Sequence, residues 1–162
     1  MIWAITKGIQ NIEVDYFMTR YQALAATILS FAFLPLAQAG TVTVEVTNIT
    51  KAGEMHLAIY DDADVFENDT GDKGGAAKGI IDGAIEDVGT GTATYRFTLP
   101  DGTYAIGIFV DANYNNEMDK NFFGVPKEQY GFSNNAKGSF GPPSFRDASF
   151  TVSGDLNLRI DL

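Results

Sequence analysis

The sequence contains no cysteine and a single histidine, His56. The first absence excludes a disulfide framework, a thiolate zinc site, a cysteine nucleophile and a lipid-modified N-terminal cysteine. The second excludes multi-histidine metal centres and leaves little material for a Ser-His-Asp triad. Basic residues are scarce, 11 against 21 acidic, for a formal net charge of -10 over 162 residues. A chain of that sign repels phosphate backbones, which argues against nucleic acid as a partner. Beyond residue 40 no stretch keeps a 3.6-residue period, and Asp62–Glu67 has room for one helical turn. A Gly-x-Ser-x-Gly elbow, a P-loop and a dinucleotide fingerprint are all missing. The length fits one domain, or one domain plus an appendage.

Long apolar runs are also lacking, except over residues 23–38. Arg20 precedes that run and Ala37-Gln38-Ala39 follows it. A charged start, an apolar middle and a small-residue exit make a secretory signal peptide over residues 18–39. The alternative is a membrane anchor. The run falls short of the roughly 20 apolar residues a span needs, and no basic cluster follows it. Translation is expected to begin at Met18, with residues 1–17 an over-extended N-terminus; a long leader is the alternative. Residues 40–162 then form a single domain that keeps the whole charge of -10. The expected destination is the periplasm or the cell exterior, with no membrane span after processing.

Period-2 alternation dominates that domain. Val42, Val44 and Val46 alternate with polar residues, as do Met55, Leu57 and Ile59. Tyr95, Phe97 and Leu99 follow, then Tyr104, Ile106, Ile108 and Val110. Ala148, Phe150 and Val152 precede Leu156, Leu158, Ile160 and Leu162. Six one-faced strands result, with a weaker seventh around residues 80–88. Lys51-Ala52-Gly53, Pro100-Asp101-Gly102 and Ser153-Gly154-Asp155 supply turns between neighbours. One-faced antiparallel strands bury that face against a second sheet. The expected fold is all-β: an antiparallel β-sandwich of about seven strands, immunoglobulin-like or transthyretin-like, with one long ordered loop. His56 falls on the polar phase of its strand and is expected to face solvent.

Two segments interrupt the pattern. Residues 61–79 are acidic and glycine-rich, which reads as a solvated loop anchored by Phe66. Residues 111–147 differ in kind. Asp111, Asn113, Asn115 and Asp119 place oxygen side chains at positions 1, 3, 5 and 9 of a loop, with the carbonyl of Glu117 at position 7. That spacing suits a hard cation, and weak calcium binding is one reading. Asn116 tolerates the left-handed geometry needed at position 6. Position 12 is Phe122 rather than a bidentate Glu, so an Asx-rich turn that satisfies its own backbone is the other reading. Residues 122–145 then hold six aromatics and three prolines. Disordered linkers are aromatic-poor, so this is an ordered surface loop of the kind that carries binding.

The run from Gly102-Thr103-Tyr104 through Asp111-x-Asn113, Asp119-x-Asn121-x-x-Gly124-x-Pro126-x-Glu128-x-Tyr130-Gly131-Phe132-Ser133-Asn134 to Gly141-Pro142-Pro143-x-Phe145 resembles the DUF2141 family. That resemblance implies a small exported bacterial β-sandwich and brings no established activity. Asn116 stands where the family usually has Gly.

No catalytic constellation rises above background. Acid pairs such as Asp61 with Asp62, or Glu117 with Asp119, arise by chance in an acidic chain and act only at defined separations in a cleft. The leading expectation is a non-catalytic binding module working through residues 111–145. Tyr114, Phe122, Phe123, Tyr130, Phe132 and Asn134 are the candidate contacts, to a carbohydrate or a peptide. The rivals are a structural envelope protein whose loop seals the core, and a small carboxylate-dependent hydrolase. Exposed rings separate the first from the second. Two carboxylates facing across a cleft would favour the third.

Overall fold

Strands form where alternation is strongest, and one forms where it is absent. The computed structural model describes residues 38–71, 78–139 and 141–162. The chain order is β1 Ala39–Ile49, β2 Gly53–Tyr60, α1 Ala63–Asn68, β3 Asp82–Val88, β4 Gly91–Pro100, β5 Gly102–Asp111, β6 Gln129–Phe132, a 3-10 turn Ser133–Asn135, α2 Phe145–Ala148, β7 Phe150–Val152 and β8 Leu156–Asp161. A three-stranded sheet runs β4-β1-β8, and a five-stranded sheet runs β3-β2-β5-β6, with β7 also paired to β5. This is the β-sandwich that the alternation predicts. The proposed leader over 18–39 and the segment 1–17 fall almost wholly outside the described residues.

The inner faces meet as their phases require. Val42, Val44 and Val46 of β1, with Tyr95, Phe97 and Leu99 of β4, pack against Met55, Leu57 and Ile59 of β2 and against Tyr104, Ile106, Ile108 and Val110 of β5. Phe150, Val152 and Ile160 complete the cluster. Each such side chain contributes about 1.5–3 kcal/mol by leaving water. Leu156 and Leu158 are only partly buried, because β8 is the edge of its sheet.

Three details differ from the sequence reading. First, β8 runs parallel to β1, from Val42 opposite Leu156 to Thr47 opposite Asp161; alternation carries no information on direction. Second, β6 is an eighth strand inside the long loop, with Phe109 opposite Tyr130 and Gly107 opposite Phe132. The Gln129 side chain ties it to the β1–β2 turn, accepting from the Thr50 N–H at 2.7 Å and donating to the Asn48 carbonyl at 3.0 Å. Third, Ala148 ends α2 rather than starting a strand. Ser144 caps that turn, its Oγ accepting from the Asp147 N–H at 3.2 Å and donating to the Asp147 carboxylate at 2.7 Å.

The five-stranded sheet has a second apolar layer on its outer face. Phe66 of α1 is buried and meets Tyr60, Phe132 and Phe145 edge-on. Asp62 starts α1 by accepting from the Val65 N–H at 3.0 Å, which gives the single turn anchored by Phe66. Ala105 and Ala148 lie beneath these rings. The small side chains on β5 let α1 and α2 approach the sheet. Among the described residues, no helix is long and apolar enough to cross a membrane.

Candidate functional site

The strand registers align outward-facing residues into rows across the five-stranded sheet. Glu54 lies opposite Asp87 on one side and Asp111 on the other. The next row reads Ile85, His56, Phe109, Tyr130 across four strands. The row after it reads Gly83, Ala58, Gly107, Phe132. A ridge of rings therefore stands beside a furrow of small residues. The furrow ends at Phe132, which packs against Phe66.

This furrow is the floor of a cleft of about 950 Å³. Tyr60 and Phe66 close one end, and Met118, Phe123, Val125 and Pro126 of the long loop overhang it. Ile81 and Ile85 form the β3 side. Residues 116–126 of the long loop supply one wall, while β2 and β3 supply surfaces the sequence did not mark. His56 lies on the polar phase as expected, but it is half-buried. Its ring stacks on Phe109 with centroids 4.5 Å apart and planes at 15°. Its Nε2 lies 2.9 Å from Glu54 Oε1. Glu54, His56 and Asp111 bring three possible ligand atoms within 4.8 Å of one another. A β-register, not a motif, creates that group, so only the pairing of β2 with β5 could have revealed it.

The candidate contacts divide. Phe122 and Phe123 stand 97% and 84% exposed on a compact tip. Asn121 builds that tip, its Oδ1 accepting from the N–H groups of Phe123 at 2.9 Å and Val125 at 3.0 Å. Phe123 and Tyr130 line the cleft, and Phe132 closes its floor. Tyr114 is exposed at a left-handed φ of 61° and lies outside the cleft lining. The Asp87 carboxylate beside its hydroxyl raises it above the usual phenol range, burial adding to the effect. Asn134 spends its amide on the frame, donating to the Ser149 carbonyl at 2.7 Å.

The five candidate cation ligands lie together in the β5–β6 loop. Asp111 is fully buried and its carboxylate is the hub of a set of Asx turns. Oδ1 accepts from the N–H groups of Tyr114 at 2.7 Å and Asn113 at 3.1 Å, and Oδ2 accepts from Asn116 at 2.6 Å. Burial pushes its pKa up, but the N–H groups of Asn116, Asn113, Asn115 and Tyr114 outweigh that and hold it below the ordinary value. Asn113 and Asn115 repeat the turn, accepting from the N–H groups of Asn115 at 3.1 Å and Glu117 at 2.9 Å. Asp119 accepts from the Asn113 amide at 2.8 Å. Asn116 takes the expected left-handed geometry, φ 63°.

A third carboxylate joins them from across the loop. Glu128 accepts from the Ala112 N–H at 3.0 Å and the Asp119 N–H at 3.2 Å. Burial raises its pKa, the two N–H groups oppose the rise, and the neighbouring charges of Asp111 and Asp119 add to it. Each oxygen of Glu128 is thus turned to a main-chain N–H of the loop.

A family described as an uncharacterized protein conserved in bacteria, DUF2141, matches residues 44–160. The chain belongs to the DUF2141 family. No curated protein and no solved structure matches it. In this DUF2141 chain, several residues that carry the resemblance are supports. Glu128 braces the loop, Asn134 holds the α2–β7 connection, and Ser133 joins β5 to α2. The rings of the cleft sit on that frame.

Proposed function

We propose that this protein is an exported, non-catalytic binding module whose ligand, a carbohydrate or a peptide, lies in the cleft over the outer face of the five-stranded sheet. One observation carries the reading: a ridge of rings, Phe109, Tyr130 and His56, beside a furrow floored by Ala58 and Gly107. Flat rings with polar neighbours are the surfaces on which sugars and peptide side chains stack. The exposure of Phe122, Phe123 and Tyr130 supports binding over a loop that merely seals the core. Asp111 and Glu128 turn their oxygens to the loop's own N–H groups, which weighs against a carboxylate-dependent hydrolase. Export rests on the charged start, apolar run and Ala-Gln-Ala exit of residues 18–39. Weak calcium binding by Asp111, Asn113, Asn115, Glu117 and Asp119 belongs to the same proposal and requires these side chains to exchange the N–H groups they accept for the ion; an Asx-rich turn that satisfies its own backbone is the rival reading.

Gly107 makes the cleft testable. The atoms nearest a Cβ there belong to the rings of Phe132 at 3.6 Å and Tyr60 at 3.7 Å, which is ordinary contact. Gly107→Leu therefore starts a side chain into the furrow without a backbone clash at Cβ. Nile red, a neutral apolar dye, should brighten and shift to the blue with the purified protein. That response should fall by half or more in Gly107→Leu at unchanged melting temperature. Equal dye response in both proteins would show that the cleft is not the binding surface. Titration of soluble oligosaccharides against peptides then assigns the ligand class.

A further inference from the structure

The cleft opens sideways at β3, and β3 is an edge. Among the described residues it pairs with β2 alone. Its other side meets no strand among the described residues, and the Gly83 N–H donates to Asp82 Oδ1 at 2.8 Å. Edges of this kind are commonly blunted by Pro, by charged side chains that deter a strand of like charge, or by being very short. β3 runs for seven residues, Asp-Gly-Ala-Ile-Glu-Asp-Val, with neither Pro nor Lys. Its charges are all acidic, at Asp82, Glu86 and Asp87. Ile81 and Ile85 are 43% and 52% exposed and line the cleft.

We infer, resting on the cleft reading above, that the ligand is an extended peptide of alternating apolar and basic residues that adds to β3 as a further strand. Strand addition satisfies the open main-chain groups. Side chains of the added strand alternate between its two faces. Those beside Gly83 and Ile85 extend the row Ile85, His56, Phe109, Tyr130 and drop apolar groups over the cleft. Those on the other face lie beside Asp82 and Glu86, which select basic residues. Asp87 and Glu54 set a further acidic boundary at one end of the row. The same charges argue against a second copy of this chain, since β3 against β3 opposes three carboxylates to three. A carbohydrate would leave the open main-chain groups to water.

A blocked Lys-Val repeat of about eight residues, enough to span β3, is the probe, titrated into the purified protein by calorimetry and amide chemical shifts. Binding should shift the amides of β3 and of His56 and Phe109. N-methylation of alternate peptide amides, made separately at the Lys and at the Val positions, should abolish binding in one series and spare it in the other, because only one set of donors faces β3. Glu86→Lys should weaken binding about tenfold or more, and Asp82→Lys should act likewise. Each variant is checked for an unchanged melting temperature. Equal binding of both N-methylated series would overturn strand addition. Equal binding by both charge variants would overturn the basic pattern. Failure of the repeat to bind while Nile red still enters the cleft would overturn this inference alone. Loss of the dye signal as well would overturn the cleft reading with it.

Discussion

Replacing Ser133 by Ala tests how the cleft is framed. The Ser133 hydroxyl is fully buried and serves two elements. Its Oγ accepts from the Ile106 N–H at 2.9 Å and donates to the Ala148 carbonyl at 2.5 Å. It stands in a gap of the ladder. β6 pairs with β5 up to Gly107, and β7 pairs with it only as far as Tyr104. The Ile106 N–H falls between them, and a side chain completes what a strand would have supplied. Alanine leaves one buried donor and one buried acceptor without partners. Each costs about 1–3 kcal/mol, so the expected loss is about 2–6 kcal/mol. For a domain of this size that lowers the melting temperature by roughly 6–24 °C. Urea unfolding gives the free energy, and hydrogen exchange at the Ile106 amide should accelerate. A loss under about 0.5 kcal/mol, the range of a surface change, would refute the bridging role.

Other outcomes follow from the loop and the leader. Asp111→Asn keeps one acceptor but turns an N–H₂ toward the Asn116 N–H, at a cost of about 2 kcal/mol near neutral pH. The Asp111 carboxyl titrates below its ordinary value of 3.8, so its stabilisation is complete above that pH and is lost as pH falls through the folded value. Urea unfolding against pH should therefore fall less steeply below 3.8 in Asp111→Asn than in the parent, and parallel curves would contradict the assignment. Calcium near 10 mM should raise stability by about 1.4–2.7 kcal/mol if a weak site of 0.1–1 mM forms, and Asp119→Ala should remove the response. Melts that coincide in EDTA and in calcium would remove calcium from the account. Mass spectrometry of the exported protein should find Gly40 first; an intact N-terminus in the membrane fraction would contradict processing after Ala39.

Much of the sandwich could be read from alternation, because burial on one face leaves a period of two in the sequence. Ile106 and Ile108 pointed inward as their phase required. The direction of β8 could not be read, since Leu156, Leu158 and Ile160 alternate identically in either sense. β6 escaped because Gly131 breaks its pattern and its pairing depends on Phe109. The α2 turn did leave a trace, Ser144-x-x-Asp147, which is an N-cap signal that the neighbouring alternation masked. The loop's rings and oxygens were visible, but their assignments were not. Asn134 carried the look of a contact and turned out to be a clamp. His56 carried the look of a solvent residue and stacks on Phe109. Such roles come from register, which joins residues far apart in the chain.

If this DUF2141 protein binds on the outer face of its five-stranded sheet, amide chemical-shift mapping with the Lys-Val repeat should show shifts grouped at Ile85, His56, Phe109 and Tyr130, reduced by Gly107→Leu, with β1, β4 and β8 unmoved. Shifts grouped on the three-stranded sheet, or shifts indifferent to Gly107→Leu, would contradict it.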